Sequence, residues 1–320
     1  MADGELEPGR VSADALGKFE HPDFTAAGAA RADVALNRLE TLWINTGTVC
    51  NIECTHCYIE SSPKNDRLAY ITLAEIAPFL DEAAQLGASE IGFTGGEPFL
   101  NPAMIAMADA ALRRGFDVLV LTNAMRPMMR PRVKDGLLEL RRHFGLRIKL
   151  RVSLDHFTTT RHDHERAAGS FANAMEGFRW LVDHGFQLSV ATRDLFGEGE
   201  EAIRSGFAAL FSGATIPLDA QNTLDLILFP EMDETADVPE ISTECWGLLR
   251  KDPGAVMCAS SRMVVKRKGA AAPVVLSCTL LPYDTRFEMG RTLAEASGAV
   301  KLNHPHCAKF CVLGGASCSG

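Results

Sequence analysis

No stretch of this sequence approaches the roughly 18 to 20 consecutive apolar residues that a membrane span requires. The opening Met1 to Arg10 segment is too acidic and polar for an export signal. Both absences lead us to expect a cytoplasmic chain with no membrane partner. Positive charge is also short: 32 Lys and Arg against 41 Asp and Glu leave a net charge of −9, which disfavours a nucleic-acid partner. What remains is an ordinary globular composition, 47% hydrophobic and 23% charged over 320 residues, long enough for one large domain or two modest ones. The chain also carries nine cysteines. An odd number without an export signal, gathered near residue 54 and beyond residue 245, is a poor disulfide framework, so metal or cluster ligation is the expectation.

Residues 1–38 show no clear apolar period and read as an extension or lid with little core of its own. From Leu39 strands and helices alternate. Strand-like runs begin near Leu42, Ile91, Phe116, Arg147, Leu188 and Leu224, with helical segments between them. Thr72 and Glu75 form a capping box, Ile71 can staple to Ile76, and Gly87 stops that helix. Six such units over residues 39–235 imply a parallel sheet with right-handed crossovers, either an open doubly wound sheet or a partial barrel. Beyond Asp233 prolines break the chain, and residues 236–320 read as a second, small cysteine-rich α+β domain. Such a segment is a marginal core alone, so a bound metal or docking onto the first domain is expected to support it. Within it Met263 to Lys268 and Val274 to Ser277 read as a hairpin, and Phe287 to Gly290 as the start of a helical region.

Two short motifs carry chemistry. Cys50, Cys54 and Cys57 sit in Cys-Asn-Ile-Glu-Cys-Thr-His-Cys just after the first strand, where parallel strands place their ligand loops. Three thiolates on a four-iron cubane leave one iron open to a small molecule; the alternative is a zinc site completed by His56 or a distant residue. At the end of the second strand comes Thr94-Gly95-Gly96-Glu97-Pro98, where two glycines permit close approach to the backbone and the glutamate can accept from an ammonium group.

This pairing, in register with the β/α alternation, resembles the radical S-adenosylmethionine superfamily. The resemblance implies a partial (β/α)6 barrel and a [4Fe-4S] cluster on Cys50, Cys54 and Cys57, with S-adenosylmethionine on the open iron. It further implies that the reduced cluster cleaves the sulfonium and that the resulting 5′-deoxyadenosyl radical abstracts a substrate hydrogen. His56 takes the position usually filled by an aromatic residue beside the adenine. Thr94, Gly95, Gly96 and Glu97 match the motif for the methionine amino group, and Ser153 matches a cosubstrate-contacting serine of the fourth strand. Thr122 and Asn123 line the same cavity. Arg193 is a candidate carboxylate partner, although the fifth-strand glycine-rich signature is not evident. Asp155 and Arg166 lie in a polar stretch, read as a loop, that resembles a Ser-Leu-Asp, His-Asp, Arg sequence of the superfamily; they are candidate catalytic residues.

The order Cys258, Gly269, Cys278, Cys307, Cys311, Cys318 resembles the C-terminal auxiliary-cluster region called twitch in its short form and SPASM in its longer one. Gly269 to Cys278 is longer than usual and the last cysteines are more widely spaced. The resemblance implies one auxiliary [4Fe-4S] cluster held by Cys258, Cys278, Cys307 and either Cys311 or Cys318; structural zinc is the alternative. Cys245 reads as a core cysteine. The substrate is expected to be a small molecule or a peptide, oxidised with help from the auxiliary cluster, and flavodoxin or ferredoxin the electron donor. Peptides are the less favoured substrate, because residues 1–38 look too short for a leader-binding module. A nucleotide substrate is disfavoured because the matching C-terminal signatures are not apparent. The rivals are an iron-sulfur electron carrier or redox sensor without turnover, and a zinc-stabilised binding protein. A carrier needs neither Gly95-Gly96-Glu97 nor Ser153.

Overall fold

The computed structural model describes residues 17–316. Its first strands are Asp33–Val34 (β1) and Thr41–Asn45 (β2). Every residue of β2 is buried, as expected of a strand covered on both faces. The loop with the first three cysteines follows, and then Leu73–Gln85 (α1). Its capping box is formed: the Glu75 amide donates to Thr72 Oγ1, and the Thr72 amide donates to the Glu75 carboxylate. The alternation continues through Glu90–Thr94 (β3), Met104–Arg113 (α2), Asp117–Thr122 (β4), Pro131–Phe144 (α3) and Ile148–Ser153 (β5). It is completed by Thr159–Arg166 (α4), Ser170–Asp183 (α5), Gln187–Arg193 (β6), Glu200–Gly213 (α6) and Leu226–Phe229 (β7). Strands β2 to β7 lie side by side in chain order, all parallel. This is the wall of the partial barrel.

Successive strand residues face opposite sides, and the core divides accordingly. Leu42, Ile44, Val118 and Val120 join the helices α1, α2, α3, α5 and α6 in one cluster. Trp43 and Leu119, on the intervening positions, join a second cluster with Met257, Met263, Leu276, Phe287 and Phe310 of the C-terminal segment. That segment contains Cys245–Leu249 (α7), Ser261–Val265 (β8), Val274–Leu276 (β9), Glu288–Gly290 (β10) and Val300–Lys301 (β11). Strand β8 pairs in parallel with β2 at the edge opposite β7, and β9 and β10 extend the sheet antiparallel, giving nine strands. The change of rhythm near residue 236 therefore ends the alternation but not the sheet. The C-terminal segment shares its core with the inner face of the barrel.

Two expectations are corrected. The polar stretch after β5 is not a loop but contains the helix α4; it lacks an apolar period because the residues it buries are His162 and Glu165. Phe287 to Gly290 does not begin a helix: Glu288 and Gly290 pair with Leu276 and Val275 across a bulge. No helix among the described residues is long and apolar enough to cross a membrane.

Residues 17–38 lie against the C-terminal segment. Strand β1 pairs with β11, and the buried Arg31 guanidinium meets Glu240 at 2.6 Å. Glu240 also accepts the Phe19 and Ala26 amides, at 2.8 and 2.6 Å. Removing one partner of a buried pair strands the other charge. Glu240→Ala is therefore expected to lower the unfolding free energy by about 3–5 kcal/mol, read from denaturant melts, whereas Lys18→Ala at the exposed Lys18–Asp237 pair should change it by less than about 1 kcal/mol.

Candidate active site

The loop leaving β2 is zipped to the end of β3 by backbone. The Gly96 amide donates to the Gly47 carbonyl at 2.9 Å and the Glu97 amide to the Val49 carbonyl at 3.2 Å. A Cβ on Gly95, whose φ is +140°, would lie 2.4 Å from the Gly47 oxygen, and one on Gly96 would lie 2.3 Å from the Val49 oxygen. The two glycines are thus required by the loop that presents Cys50 as well as being free to admit a ligand. Glu97 is buried and turned onto the protein. Its Oε1 accepts from Thr122 Oγ1 at 2.9 Å and from the Phe99 amide at 3.2 Å, and its Oε2 accepts from the Asn123 amide at 2.9 Å. Burial pushes its pKa up to about 7 against the pull of those donors. Asn123 in turn donates to Asn51 Oδ1 at 2.9 Å, within the cysteine motif.

A charge lattice from β5, α4 and β6 holds the far side of the same loop. Glu165 accepts the His56 amide at 2.8 Å and faces His56 Nδ1 at 2.7 Å. Arg193 donates to the His56 carbonyl at 2.6 Å and to Glu165 and Asp155, each at 3.2 Å. Arg166 donates to the other Asp155 oxygen at 2.6 Å. Burial alone would raise the Asp155 pKa, but the two guanidinium groups outweigh it and hold the carboxyl well below the usual range. Sequence reasoning missed Glu165, whose only signal was its place beside Arg166 on a helix read as loop.

One cleft gathers these parts. Cys50, Cys54, His56, Cys57, Thr94, Gly95, Gly96, Thr122, Asn123, Ser153, Asp155, Arg166 and Arg193 all line it, with apolar walls that include Phe229 and Met232. Glu97 stands behind the wall rather than in it. Burial pushes the Cys50 thiol up to about 12 and the Cys54 thiol up to about 11, the latter against the pull of Arg166. Dry thiols of this kind become thiolates when a cationic metal group sits among them, so the donor set fits an iron-sulfur cluster. The Ser61 amide adds a hydrogen bond to Cys57 Sγ at 3.3 Å.

The C-terminal cysteines gather separately. Cys258 lies in the short turn Met257–Ala259 just before β8, Cys278 follows β9, and Cys307 and Cys311 lie on the π-helical turn Cys307–Leu313. All four line one small cavity with His306, Leu280 and other apolar residues. Burial raises the Cys258 thiol to about 11 and the Cys307 thiol well above its ordinary value. The eight described cysteines are all free of disulfides, and among the described residues no three His, Cys, Asp or Glu stand close enough to hold a single metal ion. Cys245 does not line the cavity and packs at the edge of the second core. Cys318 lies outside the described residues. Leu280 lines both the cleft and this cavity and is a wall between them.

A partial β/α barrel with three thiols and a glycine pair at its carboxyl end defines a class of cluster-bearing cosubstrate-binding proteins, and comparison with known proteins gives it a family. The sequence model of the radical SAM superfamily matches residues 44–204. The chain belongs to the radical SAM superfamily, so a [4Fe-4S] cluster and S-adenosylmethionine are its cofactors. It is similar to the antilisterial bacteriocin subtilosin biosynthesis protein AlbA of Bacillus subtilis (34% identical; 44% of this chain, 30% of the relative). It is also similar to the AdoMet-dependent heme synthase of Methanosarcina barkeri (29%; 46% and 41%) and the mycofactocin maturase MftC of Mycobacterium ulcerans (30%; 52% and 43%). The chain thus spans less than half the length of these relatives. Streptococcus suis SuiB bound to S-adenosylmethionine superposes with a TM-score of 0.58 over 79% of this chain and 63% of that one at 11% identity, a likeness of fold alone.

Glu165 touches no thiol but fixes the loop that carries them, and loss of such a supporting residue typically costs 10–100-fold in metal affinity. Glu165→Ala is expected to weaken iron retention at Cys50, Cys54 and Cys57 by about 10-fold or more in a chelator challenge of the reconstituted protein, with any iron bound elsewhere in the chain unaffected. Iron retention equal to that of the parent chain would contradict that supporting role.

Proposed function

We propose that this chain is a peptide-modifying radical SAM oxidoreductase with two iron-sulfur centres. Cys50, Cys54 and Cys57 hold the cluster that binds S-adenosylmethionine, and Cys258, Cys278, Cys307 and Cys311 hold an auxiliary [4Fe-4S] cluster. The observation that carries the reading is the shared wall: the cleft with the first three thiols is bordered by Leu280, which also borders the four-thiol cavity. A group bound in the second cavity stands next to the space a substrate would fill, where it can accept an electron. Peptide substrates are supported by the relatives' names, a bacteriocin biosynthesis protein and SuiB with its precursor peptide SuiA, against the contrary example of the heme synthase. That support outweighs the expectation drawn from the length of residues 1–38.

When bound, the first cluster and its cosubstrate supply the one-electron cleavage that makes a hydrogen-abstracting radical. The chain's own residues orient and shield. Gly95 and Gly96 leave the backbone at the β3 end open to the amino acid moiety, while Thr122 and Asn123 keep Glu97 fixed behind it. Ser153 and the ring of His56 face the cleft where the nucleoside would lie. Arg166, balanced by Asp155, places positive charge beside Cys54 and favours the anionic cluster. Phe229, Met232, Leu280 and Phe310 give the remaining wall an apolar lining that excludes water from a reactive centre. Flavodoxin or ferredoxin is the electron donor this chemistry calls for.

Anaerobic reconstitution of the full chain should load about eight irons, falling to about four when Cys50, Cys54 and Cys57 are all replaced by alanine. A fall from about four to near zero would remove the auxiliary cluster from the account and favour redox-neutral chemistry.

A further inference from the structure

The four-thiol cavity has one polar side chain other than sulfur in its lining, and that side chain is His306. The residue is 3% exposed, and its Nδ1 has no hydrogen-bond partner among the described residues. A buried ring nitrogen left without a partner is destabilising, so the position calls for an occupant of the cavity. On the outer side, Nε2 lies 3.5 Å from an oxygen of Glu234, whose side chain is largely exposed. The nearby guanidinium cannot serve the cavity in its place. Arg262 directs its nitrogens to the carbonyls of Ala296, Cys258, Ser261 and Gly298. One backbone donor is already engaged with sulfur, the Leu280 amide on Cys278 at 3.3 Å.

We propose that His306 donates a hydrogen bond through Nδ1–H to a sulfur of the auxiliary cluster, and so sets the reduction potential of that cluster. This rests on the reading that Cys258, Cys278, Cys307 and Cys311 hold the cluster. Four thiols supply the four terminal ligands of a cubane, which leaves the imidazole as a donor to sulfur and not as a ligand to iron. A donor pointed at an anionic cluster stabilises its reduced, more negative state more than its oxidised one, and hydrogen bonds to sulfur are among the factors that set such potentials.

The test uses the full chain with Cys50, Cys54 and Cys57 replaced by alanine, so that the auxiliary cluster is observed alone. Iron content is measured first, then the midpoint potential and the proton and nitrogen couplings of the reduced cluster. The expected results are an exchangeable proton coupling that disappears in His306→Leu, a midpoint potential shifted more negative in that variant, and partial recovery of both in His306→Gln, which keeps an N–H donor. Because the Leu280 amide on Cys278 also supplies an exchangeable proton, the parent chain is labelled with 15N at histidine alone: a histidine nitrogen coupling there supports the proposal and its absence overturns it, whether or not the variants fold. An unchanged potential with an unchanged coupling overturns the proposal, as does a nitrogen bonded directly to iron. Absence of iron from the triple-alanine chain overturns the auxiliary-cluster reading itself and the proposal with it, and is distinguished from the other outcomes by the first measurement.

Discussion

The close contact between the Gly47–Val49 backbone and Gly95–Gly96 is the constraint on which the site depends. It fixes where the chain emerges from β2 and therefore where Cys50 stands relative to the end of β3. Any side chain on either glycine would meet a carbonyl oxygen at less than contact distance. A second grip comes from the opposite side, where Glu165, Arg193 and Asp155 hold the backbone around His56. Held from both sides, a loop with little regular structure can present three thiols to one cleft. An unsupported loop of this length would spread them over many arrangements.

The division of the sheet into two faces explains how a second cysteine group comes to lie near the first. Helices cover the outer face, as parallel crossovers require. The inner face at β2 and β4 is covered through Trp43 and Leu119 by the C-terminal segment, whose strand β8 lengthens the sheet beside β2. Because the segment docks through the barrel's own core, its cavity and the cleft share Leu280. In both places burial disfavours bare thiolates, so each group of cysteines gains most from a cationic metal centre that converts thiols to ligands.

Much of this was legible in the sequence. The six parallel strands, the capped helix α1, the cysteine triad and Gly95-Gly96 at the end of β3 followed from local period and spacing, as did the hairpin of β8 and β9. What was not legible depends on long-range contact or on polar burial. The parallel pairing of Thr41 with Ser261 joins residues too far apart for any window to see. Helix α4 was hidden because it buries His162 and Glu165 in place of apolar residues. Glu97 read as a ligand for an ammonium group and is found supporting the wall, since Thr122 and Asn123 arrive only through the neighbouring strand. Cys307 and Cys311 share one cavity through a π-helical turn, a backbone form that their spacing does not announce.

The most direct measurement is whether the anaerobically reconstituted, reduced full chain forms 5′-deoxyadenosine from S-adenosylmethionine, followed alongside the resonance spectrum of its reduced cluster. The account predicts that adding S-adenosylmethionine alters the cluster signal and that 5′-deoxyadenosine accumulates. An unaltered signal with no 5′-deoxyadenosine would contradict it and identify the chain as an electron carrier built on the same barrel.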